Sequence, residues 1–355
     1  MPTTSIDTFF ACSLLVILVV STMAGLPKML YPFLDGLAHK NDGERLQQLA
    51  QYILLSTGAP SDWGSNSAVS PTSFGLASDS VSSPYALDID KVTRLNSRNS
   101  YAINYAQLLD ALKVSKVALK IHVRTLFNTS IRLVSSSDNG NETNYSFEIV
   151  TENSGLAVVS DLSCYFVVKD YVDNLVSSTN SNGKANATFV VPNNVSGSAL
   201  LAVFSRAQVD SSVVSLGVYA FGHNTSSPVA DGTFARLSPL DYVLNASFLF
   251  PDEQVLGAYA FSFGYWANLT MLSNATQSAE YVVPRFLDKS ATVLVFTGLN
   301  NTQTFAEWVA YPQVPLEIGV NFDSSTFGAS VVSFTYVVAI NAALYELQIK
   351  CREVG

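Results

Sequence analysis

The sequence predicts a long N-terminal hydrophobic α-helix followed by a mainly β ectodomain of tandem β-sandwich modules. Three observations carry this expectation. Phe9 to Pro27 runs for 19 residues without a charged side chain. From Val117 onward, apolar and polar residues alternate at period two, as half-buried strands do. Two stretches then repeat at a spacing near the size of one sandwich, about 100 residues.

A helix over those 19 residues reaches roughly 28 Å, close to the ~30 Å hydrocarbon core of a bilayer. Residues 1–34 are therefore expected to form an anchor or assembly helix. Phe9, Phe10, Leu14, Leu15, Val16, Ile17, Leu18, Val19 and Val20 supply its apolar surface. A cleaved signal peptide is the alternative, with Thr22-Met23-Ala24 before Gly25 as a small-x-small site. The opening MPTTSIDT carries no Lys or Arg, which favours the retained helix. Pro32 and Gly36 interrupt any helix continuing beyond it. Asn41 and Glu44 then make a capping-box pair, and Leu46, Leu49, Ala50, Ile53 and Leu54 come after it at helical spacing. This predicts an amphipathic stalk over 35–56.

Residues 57–87 are rich in Ser, Pro and Gly and read as a linker. Trp63, Phe74 and Tyr85 are too large for a free one, so parts should lie along the ectodomain. Residues 88–151 read as a small α+β region. Its helices are expected at Asp88–Leu95 and at Tyr101–Leu112, the second capped by Ser100, with a strand through Val117, Leu119, Ile121 and Val123. The repeat comes next. ATFVVPNNVSGSALLAVF (187–204) and AEYVVPRFLDKSATVLVF (279–296) align without a gap at an offset of 92, with 8 identities in 18 positions. Tyr219 and Tyr311 keep the same offset. Two sandwich modules are expected, 152–240 and 241–355. The closing strands either complete the last sheet or pair back with 117–151.

Only 13% of residues are charged and the net charge is −9. A phosphate backbone needs a basic face, so nucleic acid is not an expected partner. Asn-x-Ser/Thr occurs ten times, at Asn128, Asn141, Asn144, Asn186, Asn194, Asn224, Asn245, Asn268, Asn274 and Asn300. Chance at this composition gives about five such acceptor sequences. The excess predicts an exported ectodomain carrying covalent N-glycans. An oxidising exterior makes Cys164 and Cys351 a candidate disulfide, with two separate buried thiols as the alternative. His39, His122 and His223 stand in no metal-ligand spacing. Asp138 to Glu142 (DNGNE) is read as a glycosylated turn in preference to a Ca²⁺ loop. Asp252 and Glu253 are read as a loop. Tyr259, Phe261, Phe263 and Tyr265 form a period-two aromatic stripe, expected in a sandwich core; a subunit-contact or carbohydrate-stacking face is the alternative. No catalytic constellation, cofactor site or metal site is expected.

The polar Ser5-Ile6-Asp7, the apolar run behind it and the amphipathic half up to Ser56 resemble an archaeal type IV pilin-like protein. Met1-Pro2-Thr3-Thr4 lacks the basic-plus-small pair that ends that family's class III signal. The 187–204 and 279–296 units resemble immunoglobulin-like and carboxypeptidase-regulatory-like surface modules. The resemblance implies a cell-surface subunit that meets its own copies through the N-terminal helix, passes through the membrane before assembly, and holds a glycosylated β head outside for adhesion. Surface glycans or other cells would be its partners. A monomeric membrane-anchored adhesion protein is the alternative, and a glycan-active enzyme a third.

Overall fold

A computed structural model describes residues 43–79, 85–225, 234–288, 290–322 and 331–353. The chain divides into two compact units, Met1–Gln51 and Tyr52–Gly355. The uncharged stretch Phe9–Pro27, with every residue assigned to the anchor, lies outside the described residues. Among the described residues no helix is long and apolar enough to cross a membrane. The fold class is corrected accordingly: the described residues form several β-sheets and three short helices, and no long hydrophobic helix is among them. The helices, α1 (43–55), α2 (Ile89–Thr93) and α3 (Tyr105–Leu112), are each too short and too rich in polar side chains for that role. In α1 the expected face is buried at Leu46, Ala50, Ile53 and Leu54, while Glu44, Arg45, Gln47 and Gln48 are exposed.

Residues 57–79 are not a free linker. Trp63 and Phe74 are fully buried with rings 5.7 Å apart, and the Trp63 indole N–H donates to the Gly75 carbonyl (3.3 Å). Gly75 is required here, because a Cβ would sit 2.2 Å from the Ser56 carbonyl oxygen. The Arg94 guanidinium gathers this segment by donating to the carbonyls of Trp63, Asn66 and Val69. The cap of α3 is Asn104, not Ser100. Its side chain accepts from the Gln107 N–H and the Gln107 side chain accepts from the Asn104 N–H, a reciprocal pair that starts the helix four residues later than expected.

These segments belong to a base built around one five-stranded sheet. Its early strands are β1 (Ala86–Leu87) and β2 (Val117–Thr125). The chain then makes a first sandwich from β3 (Asn128–Asp138), β4 (Glu142–Asn153), β5 (Leu156–Ala157), β6 (Ser160–Val168), β7 (Tyr171–Ser178), β8 (Lys184–Pro192), β9 (Gly197–Ala207) and β10 (Val214–His223). A second sandwich is made from β11 (Ala235–Leu240), β12 (Val243–Phe248), β13 (Glu253–Ser262), β14 (Tyr265–Asn268), β15 (Thr270–Ala275), β16 (Ser278–Val282), β17 (Thr292–Asn300) and β18 (Gln303–Tyr311). The chain returns to the base with β19 (Leu316–Gly319), β20 (Val332–Ile340) and β21 (Ala343–Glu353), giving the base order β1-β20-β21-β2-β19. The closing strands therefore pair back with 117–125 and not with the last sandwich. Sheet pairing also places 128–153 in the first sandwich and 235–240 in the second, which moves both expected boundaries.

The two sandwiches share one topology. In the first, β3-β4-β8 faces β10-β9-β6-β7; in the second, β11-β12-β16-β15 faces β18-β17-β13-β14. Each has its own core. Phe147, Phe166, Phe189 and Val203 fill the first, and Ala246, Tyr281, Leu294 and Phe296 the second. A third core joins them: Tyr165, Val167, Leu200 and Phe204 of the β6–β9 sheet pack on Tyr259, Phe261, Val293 and Val295 of the β13–β17 sheet. The result is a stack of four sheets whose two inner sheets are covered on both faces. The Tyr165 and Phe261 rings lie 4.8 Å apart at its centre.

Double burial explains a departure from the repeat. The offset of 92 holds on β8 and β16, where Ala187, Phe189 and Val191 correspond to Ala279, Tyr281 and Val283 in the two cores. It fails on β9 and β17. Val203 faces its own core but Val295 faces the interface; Phe204 faces the interface but Phe296 faces its own core. Tyr219 pairs with Leu201 and Tyr311 with Thr292, so the tyrosines differ by 92 and their partners by 91. A slip of one residue exchanges the faces of a strand. It leaves no trace in sequence where both faces are apolar.

Phe261→Ala should lower stability by about 3–5 kcal/mol, the usual cost of a buried aromatic. Urea unfolding followed by near-UV circular dichroism should still give one transition, because both sandwiches share this core. Two separated transitions in the parent protein would contradict that coupling.

The base meets the second sandwich through Asp90. Its carboxylate accepts from the Tyr311 hydroxyl (2.7 Å) and the Asp241 N–H (2.9 Å). Burial raises its pKa to about 6, against those two hydrogen bonds and with help from nearby Asp88 and Asp241. Between pH ~4 and ~6 the folded chain thus keeps a proton that the unfolded chain releases, so this site's contribution falls as pH rises. Asp90→Asn keeps an acceptor and removes the buried charge. It should add about 1–3 kcal/mol at pH 7 and little at pH 3.5, as urea midpoints at the two pH values would report. An equal effect at both would show that ionisation of Asp90 is not the cause.

Candidate functional site

The ten sequon asparagines all fall between 128 and 300, within the two sandwiches, and the base carries none. None of the ten side chains is buried; seven are exposed, and Asn144, Asn245 and Asn300 are half-buried. Strand alternation explains this. Ala187, Phe189 and Val191 take the inner face of β8, which turns Asn186 outward.

Five of them gather at one end of the stack. The β10 start meets the base, where the Leu344 N–H donates to the Ser212 carbonyl (2.8 Å). At the other end lie the β3–β4 turn with Asn141 and Asn144, the β8–β9 loop with Asn194, the end of β10 with Asn224 and the β17–β18 turn with Asn300. A polar network ties this end together. The Asp138 carboxylate accepts from the Gly140 N–H and the Asn193 amide, both at 2.7 Å. Asn193 Oδ1 in turn accepts from the Thr143 hydroxyl (2.7 Å) and the Asn224 amide (3.2 Å). The Gly140 and Asn193 hydrogen bonds hold the Asp138 carboxyl below its usual range. That carboxylate is engaged in shaping the turn, as the turn reading of DNGNE expects.

Here the sandwiches are also clasped by hydrogen bonds. The Ser198 hydroxyl donates to the Thr304 carbonyl (2.8 Å), and the Ser198 N–H to the Thr304 hydroxyl (2.9 Å). The Thr297 hydroxyl donates to the Lys169 carbonyl (2.6 Å). Above the clasp opens a cleft of about 470 Å³ with Lys169, Asp170, Ser196, Asn224, Leu256 and Thr302 in its walls. At the base-facing end, the Arg206 guanidinium pairs with Asp288 and covers the Phe263 ring at 4.0 Å.

A larger cleft of about 650 Å³ lies where the second sandwich meets the base. Arg98, Arg236, Trp308, Gln313 and Glu317 line it. It borders β11 and β18, each the last strand of its sheet. An aromatic wall with a few convergent polar groups is the usual makeup of a small-ligand site.

Other expected residues fall differently. Cys164 and Cys351 are free and buried, in the first sandwich and in the base sheet respectively. The candidate disulfide is thus corrected to two separate thiols, each pushed up to about 12 by burial. His223 is not a loop residue. It is the buried last residue of β10, with Nδ1 2.8 Å from the Tyr145 hydroxyl and Nε2 3.2 Å from the Pro192 carbonyl. His122 is half-buried on β2, and desolvation lowers its pKa. His39 lies outside the described residues. Among the described residues no His/Cys/Asp/Glu group is placed to hold a metal ion. The aromatic stripe divides. Tyr259 and Phe261 lie in the interface core, Phe263 is half-buried beneath Arg206, and Tyr265 emerges on β14 after the turn at Gly264. Glu253 opens β13, and burial raises its carboxyl to about 7. The sequence did not single out Trp308, Arg98, Arg236 or Thr304, since only the fold brings them to a cleft.

No protein-family profile matches the chain, and no curated protein matches it. Solved structures give faint likenesses. Red sea bream transglutaminase aligns over 57% of this chain and 32% of its own, at 8% identity and TM-score 0.20. The chain thus spans about a third of that protein. A mouse coronavirus receptor-binding domain in complex with its murine receptor aligns over 54% and 98%, at 13% identity and TM-score 0.14. An I-band fragment of titin aligns over 68% and 89%, at 6% identity and TM-score 0.13. Likeness this low carries no argument about fold or function.

Proposed function

We propose that this chain is an exported, N-glycosylated cell-surface protein whose β head is displayed for adhesion or binding. The observation that supports it best is the placement of the sequons. All ten keep to the sandwiches, none is buried, and five crowd the end away from the base. Asparagine is polar and mostly keeps to the surface in any protein, so the weight falls on the excess of sequons and on their confinement to the sandwiches, although the base has Asn66, Asn96, Asn99 and Asn104. The uncharged Phe9–Pro27 stretch and the low share of charged residues agree with this reading. The cleft around Trp308 is the binding surface it offers.

Site-resolved mass spectrometry of the protein from its native cells should find glycans at Asn141, Asn194 and Asn224. Ten unmodified asparagines in material recovered from the cytosolic fraction would sink the reading.

A polymer subunit is the second reading, and one strand favours it. β15, the last strand of its sheet, is exposed throughout and carries no charge, with Met271 and Leu272 half exposed (50% and 55%). Such an edge invites pairing with another chain. Asn274 lies on it and discriminates. Filaments in sheared preparations, seen by electron microscopy with Asn274 unmodified, would favour the polymer. A glycan at Asn274 and no filaments would favour the single displayed head.

A further inference from the structure

We propose that the 470 Å³ cleft between the sandwiches seats the first sugars of an N-glycan on Asn224, and that this glycan closes the outer end of their interface. The inference rests on the reading of the chain as an N-glycoprotein. Asn224 is itself part of the cleft wall. Its amide nitrogen faces Asn193 (3.2 Å) and His223 (3.3 Å), so a turn of the Asn224 side chain brings an attached sugar into the cavity. The volume lies within the roughly 300–1,000 Å³ of ordinary ligand pockets.

The walls suit a pyranose. Ser196, Thr302 and Thr304 offer hydroxyls, and Lys169 and Asp170 offer a cation and an anion. Leu256, 40% exposed, and Leu299 give an apolar surface for the ring's C–H face. These groups come from both sandwiches: Lys169 and Ser196 from the first, Leu256, Leu299 and Thr304 from the second. The cleft lies directly on the clasp, where Lys169 and Thr304 carbonyls already accept hydrogen bonds across the interface. A sugar held here therefore bridges the two modules where their apolar core ends.

Attachment replaces one of the two amide hydrogens of Asn224. A lipid-linked sugar diphosphate is the donor. The amide nitrogen bonds to C1 of the sugar, the C1–O bond to the diphosphate breaks, and one amide proton leaves. The sugar takes the place of one amide hydrogen, so the contacts of this nitrogen with Asn193 and His223 are given up as the side chain turns to the cleft.

The test uses the full-length glycoprotein, digested without denaturation by a peptide N-glycosidase and sampled by site-resolved mass spectrometry. The Asn224 glycan should be released about tenfold more slowly than that at Asn141, since release then requires local opening of the cleft. Leu256→Glu, at a partly exposed position that leaves every sequon intact, should abolish this protection. Ser226→Ala removes the sequon but keeps Asn224, and should lower the melting temperature, whereas Asn141→Gln should not. Equal release rates at Asn224 and Asn141 would overturn the proposal. So would an unmodified Asn224 beside an occupied Asn141, and that result would leave the glycoprotein reading standing. No glycan at any sequon would remove both.

Discussion

The apolar contact between the two inner sheets is the constraint on which the rest of this structure depends. Tyr165, Leu200, Phe204, Tyr259, Phe261 and Val295 meet there with essentially no exposure. A sandwich normally leaves its outer faces to water. Here β6, β9, β17 and the second half of β13 have none, and their sequences are near-continuous apolar runs such as ALLAVF and TVLVF. The contact makes one cooperative body of two modules, so the loops at their ends hold fixed positions relative to one another. Polar groups finish it at both rims: Arg206 with Asp288 on the base side, Ser198 with Thr304 on the other.

Much of the fold was legible because local pattern and tertiary role agree in it. The alternation in 117–125 marked a strand, although Ala118 and Lys120 on its expected wet face are buried, and the Val-Val-Pro units marked equivalent strand ends in the two sandwiches. What was lost is what local pattern does not encode. The β9–β17 register slipped because an all-apolar strand gives the same signal in either register. The first module boundary moved because β4, which carries β3 with it, pairs with β8 further along the chain, as in Glu142 opposite Pro192 and Val150 opposite Lys184. The base is assembled from segments about 200 residues apart, as Ile121 and Ile349 are, and only pairing reveals that. The Asn104–Gln107 capping box was visible in principle, since its spacing is standard; Ser100, three residues before Ile103, competed for it.

The candidate sites were legible unevenly for the same reason. Sequons are contiguous, so all ten were found, and strand parity then shows why their side chains avoid the interior. A cleft is not contiguous. Trp308 and Arg98 meet across 210 positions of chain, and each alone is an unremarkable residue of a strand or a loop. Cys164 and Cys351 illustrate the converse: two cysteines in a chain read as exported suggest a bridge, but they are buried in different sheets, where each serves as a small apolar side chain.

Glycan placement also bears on where a partner can bind. With the inner sheets buried, only the outer faces, the sheet edges and the two ends of the stack meet solvent. Sequons occupy the outer end, the outward face of β8 and both strands at the β14–β15 edge, through Asn186, Asn268 and Asn274. On the reading proposed above, bulky, hydrated glycans at those positions shield them from close protein contact. The cleft beside Trp308 has no sequon in its walls, and it opens at the base, which carries none. It combines the Trp308 side chain with two arginines, Arg98 and Arg236. On that reading, a partner that binds this head by shape is directed to the base side of the second sandwich, where the cleft walls carry no sequon.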